Sequence, residues 1–148
     1  MSAASRPELC NCLAIRQAAR HVTQFYDQCM APTGLRVSQF SILARLRRRG
    51  PLTINVLAQE LVMDRTTLGR NIQPLEREGL IEIHPGRADR RSRELHLTEA
   101  GAARLPAAAA RWQEAQTRFE AAFGPARAAE LRSLMHEVAT SDLASVGG

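Results

Sequence analysis

The segment from Thr53 to Gly101 constrains the fold more than any other part of this 148-residue chain. It begins with two stretches of helical apolar periodicity, TINVLAQEL and DRTTLGRNIQPLEREG, which only the residues VM separate. Two stretches of alternating polar and apolar residues follow, LIEIH and ELHL, with an arginine-rich loop between them. The segment therefore predicts a helix, a tight turn, a second helix and a β-hairpin, in that order.

The second helix of this segment carries two contrasting faces. Asp64 is a favourable N-cap, and Leu68, Ile72 and Leu75 fall at the i, i+4, i+7 spacing of one buried stripe. The opposite face is expected to present hydroxyl, guanidinium and amide groups and no acid, which suits base edges and phosphates in a major groove. The alternative is a solvated amphipathic helix with ordinary surface arginines. The residues predicted to contact DNA from this helix are Arg65, Thr66, Thr67, Arg70, Gln73 and Arg77.

The hairpin loop concentrates positive charge. Arg87, Arg90, Arg91 and Arg93 lie close together in it, and their mutual repulsion would be relieved by a polyanion. An arginine loop of this size can enter a narrow minor groove. Asp89 is expected to brace a neighbouring arginine and fix the loop shape. A solvated turn is the weaker alternative, and the whole order of elements is that of a winged helix-turn-helix, which reads DNA.

The wing sequence is also similar to that of a known family. Residues 89–101, DRRSRELHLTEAG, resemble the D-x-R…L-T-x-x-G wing signature of the MarR family of bacterial transcriptional regulators. The resemblance extends roughly over residues 8–138, and it departs from the family at Arg36, where the family often has a threonine cap. Three residue pairs match the family's helix-turn-helix pattern: Leu57-Ala58, Leu75-Glu76 and Gly79-Leu80.

The resemblance implies a mainly α (α+β) fold in a single domain over residues 1–148. Within it, residues 37–98 would form the winged helix-turn-helix lobe, and residues 8–31 and 99–142 would form dimerisation helices. The first helix is apolar on more than one face, which independently calls for a second packing partner. A two-fold homodimer would place two recognition helices about one DNA turn apart on a pseudo-palindrome.

Outside the central segment, the periodicity predicts four further helices. The first seven residues, Met1 to Pro7, are expected to be disordered. Thr98 is expected to cap the long helix that follows the wing. The predicted helices run over residues 8–30, 37–49, 99–123 and 126–142, and the predicted strands over residues 80–84 and 94–97.

The composition favours double-stranded DNA as the partner and excludes a membrane span. All 20 basic residues are arginines, and with 15 acidic residues they give a formal net charge of +5. No run of 18 apolar residues and no signal-peptide core occurs, so no membrane association is expected. The odd number of cysteines, 3, fits a reducing compartment, and the protein is predicted to be cytoplasmic.

The resemblance also implies a repressor that releases DNA when a small aromatic or phenolic effector binds between the dimer helices and the DNA lobe. Arg16, Arg20 and His21 are the candidates to pair with a carboxylate of such an effector, beside Phe40. The equal alternative is that these arginines are structural and bond helix ends.

No catalytic or metal-binding pattern accompanies these features. The 4 histidines are scattered, and neither H-E-x-x-H, G-x-S-x-G nor a phosphate loop is present, so no enzyme activity and no cofactor are expected. Cys10 and Cys12 would point about 200° apart on one helix, which argues against a shared metal ion.

Cys12 is the one candidate for oxidant sensing. Cys12, Arg20, Thr23 and Tyr26 are spaced similarly to the reactive-cysteine helix in the organic-hydroperoxide branch of the same family, although Arg16 stands where that branch has a tyrosine. On one straight helix Cys12 would lie about 26 Å from Cys29, too far for a disulfide. The preferred alternative is that the cysteines are small buried hydrophobic residues.

Overall fold

The computed structural model describes residues 6–147, and it confirms the mainly α (α+β) class. Disorder is predicted for residues 1–7, of which residues 1–5 lie outside the described residues. Pro7 instead begins a short 3-10 turn, Pro7–Leu9, and the helix predicted from residue 8 begins at Asn11. In chain order the elements are α1 (Asn11–Met30), α2 (Val37–Arg49), β1 (Leu52–Thr53), α3 (Ile54–Leu61), α4 (Arg65–Arg77), β2 (Ile81–Pro85), β3 (Arg93–Leu97), α5 (Glu99–Phe123) and α6 (Pro125–Thr140).

The sheet has one strand more than the sequence predicts. Strands β2 and β3 form the expected antiparallel hairpin, with Ile83 opposite Leu95. The two-residue strand β1 pairs with the other edge of β3, where Leu52 lies opposite Leu95, so the strand order is β1-β3-β2. This third strand ties the start of the helix-turn-helix to the wing.

One hydrophobic core joins the helix-turn-helix, the wing and the long helix α5. Its sixteen buried members include Met30 at the end of α1 and Ala108 in α5, with Trp112 packed against them. None of the helices within residues 6–147 combines the length and apolar character that a membrane span requires. The largest fully buried side chains are Met30, Ile42, Leu43, Leu57, Leu68, Leu75, Ile81 and Leu95.

A tight turn sets α4 across α3. Helix α3 ends at Leu61, and its C-cap residue Val62 adopts a left-handed backbone conformation with φ of 53°. This conformation is unfavourable for a β-branched residue. The Met63 N–H donates to the Ala58 carbonyl at 2.9 Å, and Asp64 then caps α4. Only three residues, 62–64, therefore separate the two helices.

Hydrogen bonds that involve α1 and the start of α5 fix the position of the helix-turn-helix segment. The Asp27 carboxylate of α1 accepts from the Val37 N–H at 2.8 Å, so α2 begins where the sequence predicts although Arg36 replaces a threonine. Thr98 donates its hydroxyl to the Gly79 carbonyl at 2.6 Å and accepts from the Gly101 N–H at 3.0 Å. The predicted cap of α5 is confirmed, and it holds α5 against the end of α4.

Candidate nucleic-acid interface

Helix α4 has the two faces that the sequence predicts. Leu68, Ile72 and Leu75 are buried, whereas Arg70 and Gln73 are exposed. Thr66 and Arg77 are also exposed on the outer face. The stripe of apolar residues thus determines which polar side chains of α4 reach a ligand.

Asp64 organises the first turn of α4. One of its carboxylate oxygens accepts from the Thr67 N–H at 2.7 Å, and the other accepts from the Thr67 hydroxyl at 2.9 Å. The hydrogen bonds from Thr67 lower the pKa of the Asp64 carboxyl below its ordinary value. Thr67, which the sequence placed among the DNA-contacting residues, has its hydroxyl engaged in this cap.

An open cleft of about 520 Å³ lies between α4 and the wing. Arg93 of β3 closes one side of it, and Arg65, Thr66, Arg70 and Gln73 of α4 line the other. We call this surface, from α4 to Arg93, the wing-side cleft.

Two further residues of α4 shape the wing-side cleft. Glu76 lines it beside Gln73, so the expectation of an acid-free outer face is wrong. A carboxylate at this position can accept a hydrogen bond from the amino group of cytosine. Gly69 also lines the cleft, and a Cβ built there would meet no atom within 4 Å. The glycine therefore leaves space that an approaching ligand can use.

The wing tip is a turn with Arg90 and Arg91 at its centre. The Ser92 N–H donates to the Asp89 carbonyl at 3.0 Å, and the Arg91 N–H donates to the Asp89 carboxylate at 3.0 Å. The guanidinium Nε of Arg91 lies 3.7 Å from the same carboxylate, while its side chain is 96% exposed. Asp89 thus shapes the turn mainly through backbone groups, and both arginines project into solvent.

The remaining wing arginines are separated from this tip. The side chain of Glu94 in β3 is buried, and its Oε1 lies 3.0 Å from Arg87 Nε and 2.8 Å from His96 Nε2. Arg87 is therefore paired with an acid, and Arg93 lies in the wing-side cleft. The sequence suggested that these four arginines form one repelling cluster; in the structure their charges are distributed over three places.

A second cleft, of about 490 Å³, lies on the other side of α4, towards α2. Arg77 lines this cleft and not the wing-side one. Arg70 lines both, so it lies on the ridge between them. The second cleft also contains Arg36, which the sequence marked only as an unusual helix cap. Its lining residues are Gly34, Arg36, Gln39, Arg70, Asn71, Pro74, Arg77 and Glu78.

The four residues proposed for an effector do not share one cavity. His21 lines a cavity of about 540 Å³ between α1 and α5. Phe40 is instead buried in the core, with its ring 6.0 Å from that of Trp112. Arg16 and Arg20 are exposed on α1 and line neither this cavity nor the core. The proposed grouping is wrong at Phe40, because the apolar face of α2 turns that side chain inward.

The cavity that contains His21 has its own cationic and aromatic groups. Arg118 lies with its guanidinium carbon 5.0 Å from the centre of the Phe25 ring. Phe119 and Phe123 stack with 5.6 Å between their ring centres. All four side chains line the cavity, and the sequence did not indicate any of them as an effector-binding residue.

The cysteines occupy different environments. Cys10 caps α1 by accepting from the Leu13 N–H at 3.4 Å, Cys12 is exposed in the first turn, and Cys29 is buried. The expectation that these are buried hydrophobic residues holds for Cys29 alone. Among residues 6–147 no group of three His, Cys, Asp or Glu side chains has the arrangement of a metal site.

Comparisons with known proteins agree with this geometry. A family model described as "MarR family" matches residues 33–92. The DNA complex of the M. tuberculosis transcriptional regulator MosR matches with a TM-score of 0.74 and 34% identity, over 87% of this chain and 96% of that one. The Bordetella bronchiseptica regulator BpsR matches in fold with a TM-score of 0.81 at 20% identity, over 93% and 98% of the two chains.

A curated relative gives the same assignment over a shorter segment. The HTH-type transcriptional repressor NicR of Pseudomonas putida is 31% identical over 93 residues, which are 63% of this chain and 59% of NicR. The matched proteins are transcriptional regulators and not enzymes. The signature in the wing, the exposed face of α4 and these matches lead to one conclusion: the chain belongs to the MarR family of DNA-binding transcriptional regulators.

Proposed function

We propose that the protein is a homodimeric repressor that binds a pseudo-palindromic operator and leaves it when a small effector binds. The observation that carries this proposal is the wing-side cleft, where Arg65, Arg70 and Gln73 of α4 face Arg93 of the wing. A helix with such a face fits the major groove, while an adjacent loop reaches the minor groove.

In this proposal the position of each side chain on α4 or the wing determines which part of the DNA it contacts. Arg70 and Gln73 read base edges at the centre of α4, with Glu76 as an acceptor beside them. Arg65 and Thr66, at the start of α4, contact base edges or phosphates. Arg77 and Arg93 bind phosphates on the two sides of α4, and the exposed Arg90 and Arg91 carry the wing contact. Arg87 contributes less, because Glu94 already neutralises it.

Exposed apolar side chains on the terminal helices support a homodimer. Ile15 in α1 and Leu134, Met135 and Val138 in α6 are between 38% and 48% exposed. An apolar groove of about 540 Å³ also runs between α1, α5 and α6. Exposed apolar side chains near an apolar groove are typical of a protein interface. A second copy of the chain would cover it and place the two α4 helices on inverted half-sites.

Repression and release by an effector rest on separate observations. NicR, which is similar over 93 residues, is a repressor. The cavity between α1 and α5 joins His21 and Arg118 to the rings of Phe25, Phe119 and Phe123. Such a combination suits a small aromatic or phenolic acid, whose carboxylate would pair with Arg118 and whose ring would stack. The cytoplasm, where bacterial DNA lies, is the proposed location.

The alternative function, thiol-based sensing of organic hydroperoxides, is favoured by the exposure of Cys12. Thiol titration before and after peroxide treatment distinguishes the two functions. If oxidation of Cys12 releases DNA and Cys12→Ser abolishes the release, the thiol is the sensor. If Cys12→Ser responds to peroxide as the wild type does, Cys12 is not the sensor.

Selection of bound sequences from random DNA tests the central proposal. Purified protein should enrich two inverted half-sites with centres about 10 base pairs apart, or a multiple of that spacing. Arg70→Ala selected in parallel should enrich a weaker consensus. Enrichment of one isolated half-site would contradict the dimeric arrangement, and no enrichment at all would overturn sequence-specific binding. Compounds that release the selected DNA can then be screened.

A further inference from the structure

The cleft between α2 and α4 contains a second group of cationic side chains, on the side of α4 opposite to the wing. Arg36 lies just before α2, and it faces Arg70 and Arg77 of α4 across this cleft. Within residues 6–147 no carboxylate oxygen lies within 4.0 Å of these three guanidinium groups, whereas Arg45, Arg49, Arg87, Arg91 and Arg111 each have an acidic partner. Glu78 is the acid among the lining residues.

Hydrogen bonds hold the two sides of this cleft together. The Ser38 hydroxyl of α2 bonds to the Asn71 side-chain oxygen of α4 at 2.8 Å. The Asn71 amide donates to the Thr67 carbonyl at 2.9 Å, and Gln39 accepts from the Arg36 N–H at 2.9 Å. The backbone that carries Arg36 is therefore fixed relative to α4, and only its exposed side chain remains free to move.

The dimensions of DNA suggest what the cleft between α2 and α4 contacts when α4 lies in the major groove. An α-helix with its side chains is about 10–12 Å across, and the major groove is about 12 Å wide. A helix in the groove thus fills it, and the protein surfaces on its two sides face the two phosphate rows that border the groove. The wing occupies one side of α4, and the cleft with Arg36 occupies the other.

We propose that Arg36 binds a backbone phosphate on the border of the major groove opposite to the wing. The inference rests on the proposed binding of α4 in the major groove, and it adds a phosphate-binding group from outside the helix-turn-helix and the wing. Arg36 is not on α4, so it reaches the rim of the groove and not the base edges. It therefore contributes affinity and register without sequence preference.

The salt dependence of binding tests the electrostatic role of Arg36. The association constant is measured from about 50 to 200 mM salt for the wild type and for Arg36→Ala, on selected operator and on scrambled DNA. Removal of one phosphate-binding guanidinium from each protomer should flatten the slope of log affinity against log salt by about 1.8 units. The affinity should fall by the same factor on both DNAs, and Arg36→Lys should keep the wild-type slope.

A matched control separates this role from a general effect of net charge. Arg48→Ala removes the same charge from the exposed last turn of α2, at the opposite end of that helix. It should leave the slope unchanged. If Arg36→Ala has the wild-type slope, or if Arg48→Ala flattens the slope as much as Arg36→Ala, the inference is wrong while the proposed function stands. Failure of the wild type to bind any DNA would overturn both.

Phosphate ethylation interference tests the position of the bound phosphate. In Arg36→Ala, interference should disappear at one phosphate in each half-site, on the border of the groove opposite to the phosphates affected by Arg90→Ala/Arg91→Ala. Disappearance at the same phosphates as in the wing variant would place Arg36 on the wing side and would contradict the inference.

Discussion

Alanine substitution of two helical glycines, Gly69 and Gly101, distinguishes the effect on DNA binding from the effect on folding. A Cβ at Gly69 in α4 would meet no atom within 4 Å, whereas a Cβ at Gly101 in α5 would lie 2.1 Å from the Leu80 carbonyl oxygen. Alanine is more favourable than glycine inside a helix by about 0.5–1 kcal/mol. Gly69→Ala should therefore stabilise each protomer by about that amount. Gly101→Ala should destabilise it by about 1–3 kcal/mol, since backbone and Leu97 must shift.

The expected effect of Gly69→Ala on DNA affinity is opposite to its effect on stability. Gly69 lines the wing-side cleft beside Arg70 and Gln73, so in the proposed complex a methyl group there would hold α4 away from the bases. Disruption of one bidentate base interaction, worth about 1–3 kcal/mol, would weaken operator binding roughly 5- to 150-fold. Thermal unfolding and fluorescence anisotropy measure the two effects. A Gly69→Ala protein that is more stable and binds operator as tightly as the wild type would refute the placement of α4 against DNA.

Three further predictions concern α4 and the interface. Arg70→Ala should weaken binding to operator more than binding to random DNA, because a base contact carries about 1–3 kcal/mol of discrimination. An equal decrease in affinity for both DNAs in anisotropy titrations would make Arg70 a phosphate contact. Leu134→Asp should dissociate the proposed dimer in sedimentation and abolish operator binding, while Ser133→Asp should leave the dimer intact. An intact Leu134→Asp dimer would move the proposed interface elsewhere. Because hydrogen bonds in the folded state lower the pKa of Asp64, its stabilisation is present above the ordinary value of 3.8 and is lost as pH falls through the lower folded value. The difference in melting temperature between the wild type and Asp64→Ala should thus shrink in acid, and a constant difference would contradict the cap.

The sequence predicted features that depend on local spacing. The caps Asp64 and Thr98, the buried stripe of α4 and the hairpin all follow from periods of 3.6 or 2 residues and from short-range hydrogen bonds. The structure confirms each of them. The last helix also starts within one residue of its predicted position, at Pro125.

The sequence did not predict the features that depend on tertiary packing. Strand β1 is two residues long, and only its pairing with the distant β3 makes it a strand. In the alternating pattern of β3, Glu94 occupies a position that is expected to face solvent. Its side chain is instead buried beside Arg87 and His96. Phe40 was assigned to an effector site, but Trp112 from α5 completes a core around it. Likewise, Glu76 lines the wing-side cleft because the wing packs beside α4.

The wing gives the most direct test of the whole account. Arg90 and Arg91 lie at the centre of the exposed turn that Asp89 shapes. Replacement of both by alanine should leave the fold intact, because an exposed loop carries little packing energy. One or both act electrostatically in each protomer, so the slope of log affinity against log salt should flatten by about two to four units.

The decisive measurement is therefore the salt dependence of operator binding for the wild type and for Arg90→Ala/Arg91→Ala. Circular dichroism confirms that the variant is folded, and Arg111→Ala, on α5 and paired with Glu114, is the control for a change in net charge. The account predicts a flatter slope for the wing variant and an unchanged slope for the control. An unchanged slope in a folded wing variant would mean that the wing does not touch DNA, which would contradict the account.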